Sequence, residues 1–426
     1  MRSRAINVYH ANPEPLLSGL ARSNFNHFML AMDRMQREVQ YTHSHLAISR
    51  SVELFLRPGY VRSNPLFQAA YGLSILDWLF LCHCFVTGAD QHATGITTVD
   101  SVANSLKRIS KSEVQNFLVA CGRTPSQIAD DFCNQRCLGV VDTDGLKPQF
   151  HPFIRTQFLQ YPILNLGNGD VQVPHPDLLL RHTLEGVHRL ARDVSGFDNE
   201  FGDAFQTYVG KLARWLEPDL ILNDRQLEQE SSERSCDYLL QLGDEIVLVE
   251  CKATVLAARL LFDRTLLNDT STGMVAKGLS QVYSTARDIR DGRFQSLGVR
   301  AELPARAIVV TFGDLPFPNG DWYFSNYLAA RAEKMLSRKI FPAKNIVGQP
   351  IILSIEAFEK WASALNHLSL SPSQLSDKKN ECSYMEVGDW DTYLSGVLRE
   401  SNVRLPSFVH QNVDDFIGRL SGELTS

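Results

Sequence analysis

Two apolar runs meet at Gly243-Asp244 in "CDYLLQLGDEIVLVECKAT", residues 236–254, and this stretch constrains the chain more than any other. The runs are rich in Leu, Ile and Val, and a Gly-Asp pair between them is a turn signal, so the segment reads as a β-hairpin. Three charges sit inside it: Asp237, Glu250 and Lys252. A charge taken out of water without a partner is costly, so all three need a reason to be there.

The turn decides which of them meet. With Gly243 and Asp244 as the loop, Leu242 faces Glu245. Counting back along both strands then sets Asp237 opposite Glu250 and Ser235 opposite Lys252. A four-residue loop keeps this register; a three-residue loop shifts it by one. Side chains alternate along a strand, so Glu250 and Lys252 share a face while Cys251 points to the other, as a core residue rather than a nucleophile.

Residues directly opposite one another lie about 4.5–5.5 Å apart at Cβ. Two carboxylates that close repel, and the pKa of one rises, unless a cation sits between them. A hard divalent ion such as Mg²⁺ takes carboxylate oxygens, keeps several waters and would resolve the conflict. Lys252 reaches the same spot, where an ammonium can orient an attacking water or stabilise charge on a pentavalent phosphorus. The same three side chains also fit an ion-paired cluster at a strand edge. Apolar runs on both sides predict a central, buried hairpin, which favours the site.

Around the hairpin, residues 196–313 read as α-β-β-β-α-β. "NEFGDAFQTYVGKLARWL" places Phe201, Phe205, Tyr208, Leu212 and Leu216 on one helical face, and Pro218 stops the helix. "DLILN" and "ARAIVVTFG" are further strands. "TGMVAKGLSQVYSTARDIRDG" is a long helix with Val275, Leu279, Val282, Ala286 and Ile289 on one side. "GQPIILSIEAFEKWASALN" adds a strand and a helix, with Ser354 as N-cap and Glu356 suited to the helix dipole.

These patterns divide the chain into three. Residues 1–195 form a mainly helical domain, with Phe25, Phe28, Met32, Met35 and Val39 on one helical face. In it, "KSEVQNFLVACG" and "TPSQIADDFC" are two short capped helices around a glycine-containing break, read as helical packing, with a DNA-contacting helix-turn-helix as the alternative. A hairpin is expected around Asn168-Gly169. Residues 196–368 form the α/β domain. Residues 369–426 open on the polar "SPSQLSDKKNEC" and read as a linker and helical tail.

Composition narrows the classes further. Hydrophobic residues make up 44% and charged residues 21%, as in a soluble globular protein. A net charge of -6 argues against a surface coated for nucleic acid, though not against a local basic channel. The opening "MRSRAINVYHANPEP" has no signal-peptide core, and the apolar stretch 71–86 is short for a membrane span and carries Asp77 and His83, so a buried helix and no membrane are expected. The eight cysteines are scattered; neither Cys82/Cys84 nor Cys133/Cys137 makes a zinc knuckle, and reduced thiols in a cytoplasm are expected. His175, His182 and His188 lack the spacing of a helical metal clamp, and no GxxxxGK[ST] loop occurs.

Asp237 with Glu250-Cys251-Lys252, set in the α-β-β-β-α-β order, resembles the PD-(D/E)xK nuclease superfamily. That resemblance implies a restriction-endonuclease-like core over roughly 196–315, within an α/β fold class. It implies Mg²⁺ or Mn²⁺ held by Asp237 and Glu250, and a catalytic Lys252. Many relatives carry a Glu on the first helix in an "FE-x-YV" context; here Gln206 stands in that place, and Asp203 or Glu200 would have to compensate as metal ligand. Some members place a Gln on the helix after the ExK strand, which Gln281 matches, with Lys277 one turn before it. The Tyr of the QxxxY form is Thr285 here. From Lys252 to Arg300 the chain has eight Lys or Arg against four Asp or Glu, as a phosphate-facing groove would have. The implied function is a metal-dependent nuclease acting on nucleic acid, DNA ahead of RNA, of the kind found in bacterial restriction or anti-phage defence. The helical domain is then available for a target, a protein partner or a homodimer. The alternative is a nuclease-fold module that binds without cutting.

Overall fold

A computed structural model describes residues 44–57, 63–90, 95–137, 161–174, 176–231, 233–254, 270–313, 319, 324–336, 347–348, 350–381, 390–399 and 405–423. The helix expected over 25–39 and the side chains of Cys133, Cys137 and His175 lie outside the described residues. The chain forms two compact units, Arg34–Ala204 with Pro406–Ser426, and Met1–Asp33 with Phe205–Leu405.

The first unit is helical around a small sheet. Helix α1 spans Ser44–Ser51, α2 Ile75–Asp90, α3 Lys111–Cys121 and α4 Pro125–Cys137. Helix α2 carries the apolar stretch, and Trp78, Leu79, Phe80, Leu81, Cys82 and Phe85 on it are fully buried. It is apolar all round because it is the core of this unit. Its one early charge, Asp77, is paired by Arg108, whose Nε donates at 2.9 Å. No single helix among the described residues is long and apolar enough to cross a membrane.

Strands β1 (Ile96–Thr98), β2 (Gly122–Arg123), β3 (Ile163–Gly167) and β4 (Asp170–Gln172) make a sheet of order β1-β4-β3-β2. The expected hairpin at Asn168-Gly169 joins β3 to β4, both residues having positive φ. The two short helices also form, α3 under a capping box made by Ser110 and Glu113. The break between them is strand β2, paired parallel to β3, rather than a plain turn.

The second unit contains a five-stranded sheet of order β5-β6-β7-β8-β9: Leu220–Asn223, Tyr238–Leu242, Glu245–Lys252, Ala305–Thr311 and Ile351–Ser354. The first three strands are antiparallel, and β7, β8 and β9 are parallel. Strand β7 is therefore central, which is why its sequence is a nearly unbroken apolar run. Helix α5 (Phe197–Trp215) precedes the sheet and α6 (Thr270–Arg290) links β7 to β8, giving the α-β-β-β-α-β order. A short capped helix, Asp224–Glu228, is added between β5 and β6.

Helix α6 presents Val275, Leu279, Val282, Ala286 and Ile289 to one face of the sheet, where they join Leu239, Ile246, Leu248, Ala307 and Val309 in one core. Helix α5 packs on the Tyr238 face: a Cβ on Gly210 would lie 2.3 Å from the Tyr238 hydroxyl, so only glycine permits that approach. It ends at Trp215, ahead of Leu216, with Glu217 in a left-handed conformation before Pro218.

The boundaries differ from those expected at 195/196 and 368/369. One division, at 204/205, falls inside α5, whose apolar face runs through it. Residues 369–405 belong with the sheet. Their polar opening is no linker: it forms helix α8 (Pro372–Glu381), and α9 (Trp390–Arg399) follows. Lys360 on α7 (Ile355–Leu368) donates to Asp391 on α9 at 2.7 Å, which ties that segment down. The last helix, α10 (Ser407–Glu423), joins the first unit through Asn412, which donates to Ser49 at 3.0 Å and Glu53 at 2.9 Å.

Candidate active site

The hairpin turns in two residues, pairing Leu242 with Glu245 and, at the far end, Tyr238 with Val249. The next pair along is Asp237 and Glu250, and the two are knit together. The Asp237 N–H donates to Glu250 Oε2 at 3.2 Å, while Asp237 Oδ2 accepts from the Cys251 N–H at 2.6 Å. The register argument from the turn residues therefore holds in three dimensions.

Glu250 and Lys252 project from β7 beneath α6 and are 1% and 6% exposed, so both charges are out of bulk water. Gly278 is what lets the helix pass so near. A Cβ there would stand 3.2 Å from Glu250 Cγ and 3.3 Å from Lys252 Cε. The Lys252 ammonium donates to Glu250 Oε1 and, at 2.9 Å, to Gln281 Oε1. Gln281 in turn donates through Nε2 to the Ser235 carbonyl at 3.1 Å. Ser235 thus meets Lys252 through Gln281, rather than across a ladder that stops at Tyr238.

Burial, and then the neighbouring Asp237 charge, push the Glu250 carboxyl up to about 8 against the pull of Lys252. The Asp237 carboxyl is also raised, by burial, with the Cys251 N–H and Lys252 opposing. A divalent cation between the two carboxylates would offset the cost of burying them so close together. Cys251 is half-buried on the other face rather than in the core, and burial together with the two carboxylates pushes its thiol away from the reactive, ionised form.

Four residues expected at the site, Asp237, Glu250, Lys252 and Gln281, come together. The helix position that carries an acid in the resembling family does not add one: Gln206 is half-buried, and its carbonyl accepts from the Tyr238 hydroxyl at 2.9 Å on the face opposite Glu250. Asp203 is exposed and belongs to the part of α5 grouped with the first unit, as does Glu200. Among the described residues no three His, Cys, Asp or Glu side chains converge as a metal cage. Lys277 is exposed, and Gly278 occupies the face turned to the strand.

Sequence reasoning missed Gly278, Thr285 and Asp288. Thr285 Oγ1 accepts the Cys236 N–H at 2.9 Å, and Asp288 takes the Ser231 hydroxyl at 2.5 Å. Only Gly278 left a signal: a glycine inside a helix costs about 1 kcal/mol against alanine, and a close packing contact is the usual reason for one. Compared with known proteins, the chain matches no family model, no curated protein and no solved structure.

Proposed function

We propose that this protein is a metal-dependent nuclease with a restriction-endonuclease-like core, hydrolysing phosphodiester bonds of nucleic acid, DNA ahead of RNA. One observation carries the reading: a buried carboxylate, Glu250, and a half-buried one, Asp237, held side by side with the Lys252 ammonium on the same spot. The donors fit Mg²⁺ or Mn²⁺, which take carboxylate oxygens and fill the remaining positions with water and phosphate. When bound, such an ion supplies an acidified water and positive charge beside the phosphate.

The chain's own part is positioning. Asp237 and Glu250 hold the cation. Lys252, steadied by Gln281, presents a fixed positive charge to the attacking water or to the phosphate oxygens. The helical first unit is left to recognise a target, a partner or a second copy. Placement in a bacterial cytoplasm, in restriction or anti-phage defence, follows by analogy with the resembling family.

The test is cleavage of plasmid DNA and of RNA in Mg²⁺, Mn²⁺ or EDTA. Glu250→Ala and Lys252→Ala are expected to lower cleavage by about 10²-fold or more, the usual cost of losing a group that stabilises transition-state charge. Cleavage that survives both substitutions, or is absent in every metal with every substrate, would sink the reading.

A second reading, a nuclease-fold module that binds without cutting, draws on the same pair. Lys252 already donates to Glu250, and no third acidic ligand joins Asp237 and Glu250 among the described residues. Nucleic-acid binding retained with no cleavage in any metal would decide for it.

A further inference from the structure

Helix α6 makes a second set of contacts that the proposed reaction leaves unused. Gln281, Ser284, Thr285 and Asp288 follow the i, i+3, i+4, i+7 spacing of one helical face. All four meet described residues of the stretch that leads into Asp237, namely Ser231, Glu233, Ser235 and Cys236. Ser284 Oγ donates to Glu233 Oε2 at 2.8 Å, and Arg287 Nη2 lies 3.1 Å from the same oxygen. The Asp288 carboxylate, fully buried, takes the Ser231 hydroxyl on one oxygen and faces Arg293 Nε at 3.4 Å with the other. Ser231 Oγ itself accepts the Glu233 N–H at 3.2 Å. The Thr285 hydroxyl, also fully buried, donates to the Gln281 carbonyl at 3.0 Å and accepts the Cys236 N–H at 2.9 Å.

This matters because Asp237 lies one residue before the first ladder pair of β6, Tyr238–Val249. Asp237 itself is still held from the β5 side, its carbonyl accepting the Asp224 N–H at 2.9 Å, but the described residues before it have no strand partner and lean on α6. We propose that Thr285 and Asp288 are positioning residues that clamp segment 231–236 to α6, keep Asp237 opposite Glu250, and thereby set the affinity of that pair for a divalent cation. The inference rests on the reading of Asp237 and Glu250 as metal ligands. Without the clamp, Asp237 keeps only its contacts to Asp224, Glu250 and Cys251, and its carboxylate is held less firmly beside Glu250.

The experiment measures Mn²⁺ binding to the full chain by calorimetry, with no substrate present. Thr285→Val keeps the side-chain shape but removes both hydrogen bonds. It is expected to weaken Mn²⁺ binding by roughly tenfold or more, the usual cost of losing a residue that orients a metal ligand. Thr285→Ser restores binding, and Asp288→Asn weakens it as well. Tyr208→Phe serves as control, because it removes a buried 2.7 Å hydrogen bond to Glu359 in the same unit and is expected to lower Tm but not Mn²⁺ affinity. Wild-type affinity in both Thr285→Val and Asp288→Asn, while Asp237→Ala loses binding, would overturn the clamp and spare the metal site. An equal loss in Tyr208→Phe would also overturn it, as a general effect of stability. Mn²⁺ binding that ignores Asp237→Ala and Glu250→Ala would overturn the metal site itself.

Discussion

Gly278 lies against Glu250 so closely that a methyl group added to it would stand 3.2 Å from the Glu250 Cγ. Ordinary carbon contacts are about 3.5–4.0 Å, so the carboxylate side chain and its neighbour Lys252 would have to shift. In Gly278→Ala the helix gains about 1 kcal/mol in propensity and loses a similar amount to crowding. The expected result is little change in denaturant midpoint with a clear fall in cleavage and Mn²⁺ affinity. Gly278→Val adds more bulk to the same space and is expected to destabilise by about 1–3 kcal/mol. Full activity in Gly278→Ala would mean that the approach of α6 has no bearing on the site.

Lys252 and a divalent cation draw on the same carboxylate. Lys252→Met keeps most of the buried stem and removes the charge, so the attraction of Glu250 is no longer shared. Mn²⁺ is expected to bind more tightly in this variant while cleavage falls. Calorimetry beside a cleavage assay separates the two; weaker Mn²⁺ binding in Lys252→Met would mean that the ammonium assists the metal instead of competing with it.

Stability should depend on pH through Glu250. Its folded pKa, about 8, lies above the ordinary 4.5, so the folded chain holds the extra proton between those values. Stability of the metal-free protein then falls as pH rises across that window. Glu250→Gln is expected to remove this decline, read from denaturant melts at several pH values. Because the metal must displace the proton, Mn²⁺ affinity of the wild type should climb with pH until it levels off near 8.

Glu245 behaves in the opposite sense. Partial burial alone would raise its pKa. Hydrogen bonds from Ser371 Oγ at 2.7 Å and the Ser373 N–H at 3.1 Å, with Arg306 at 3.2 Å, hold it below 4.5 instead. Its contribution is therefore present above the ordinary carboxylate pKa and is lost as pH falls through the depressed one. Glu245→Ala is expected to cost about 1.5–3 kcal/mol at neutral pH, the range for hydrogen bonds to a charged group. The gap between variant and wild type should narrow in acid, and a gap that stays constant down to low pH would refute the assignment.

Glu245 also shows why part of the fold escaped sequence reading. "SPSQLSDKKNEC" is polar and carries little helix propensity, so it reads as a linker. It becomes α8 where a carboxylate more than a hundred residues away sits at the helix N-terminus and accepts the Ser373 N–H and the Ser371 hydroxyl. The same holds for α10, which reads as a tail but docks through Asn412 on Ser49 and Glu53. Neither partner is visible in a local window.

The pairing of Asp237 with Glu250 was legible, because both steps behind it are local. Gly243, with φ of 57°, marks the turn, and alternation along a strand carries the register outward without slippage. The apolar face of α6 was legible for the same reason. Its polar face was not: Gln281 is visible only by resemblance, and Thr285 and Asp288 look like ordinary helix residues until the chain before Asp237 lies against them.

By itself, then, the sequence determined the hairpin, its register, the central burial of β7 and the two charges that meet across its end. These follow from turn chemistry and from periods of two and 3.6, which act over a few residues. The tertiary structure alone decided that Lys252 lies on Glu250 and that Gly278 admits α6 to the site. Those outcomes depend on which helix covers which face of the sheet, and side-chain packing between distant segments settles that.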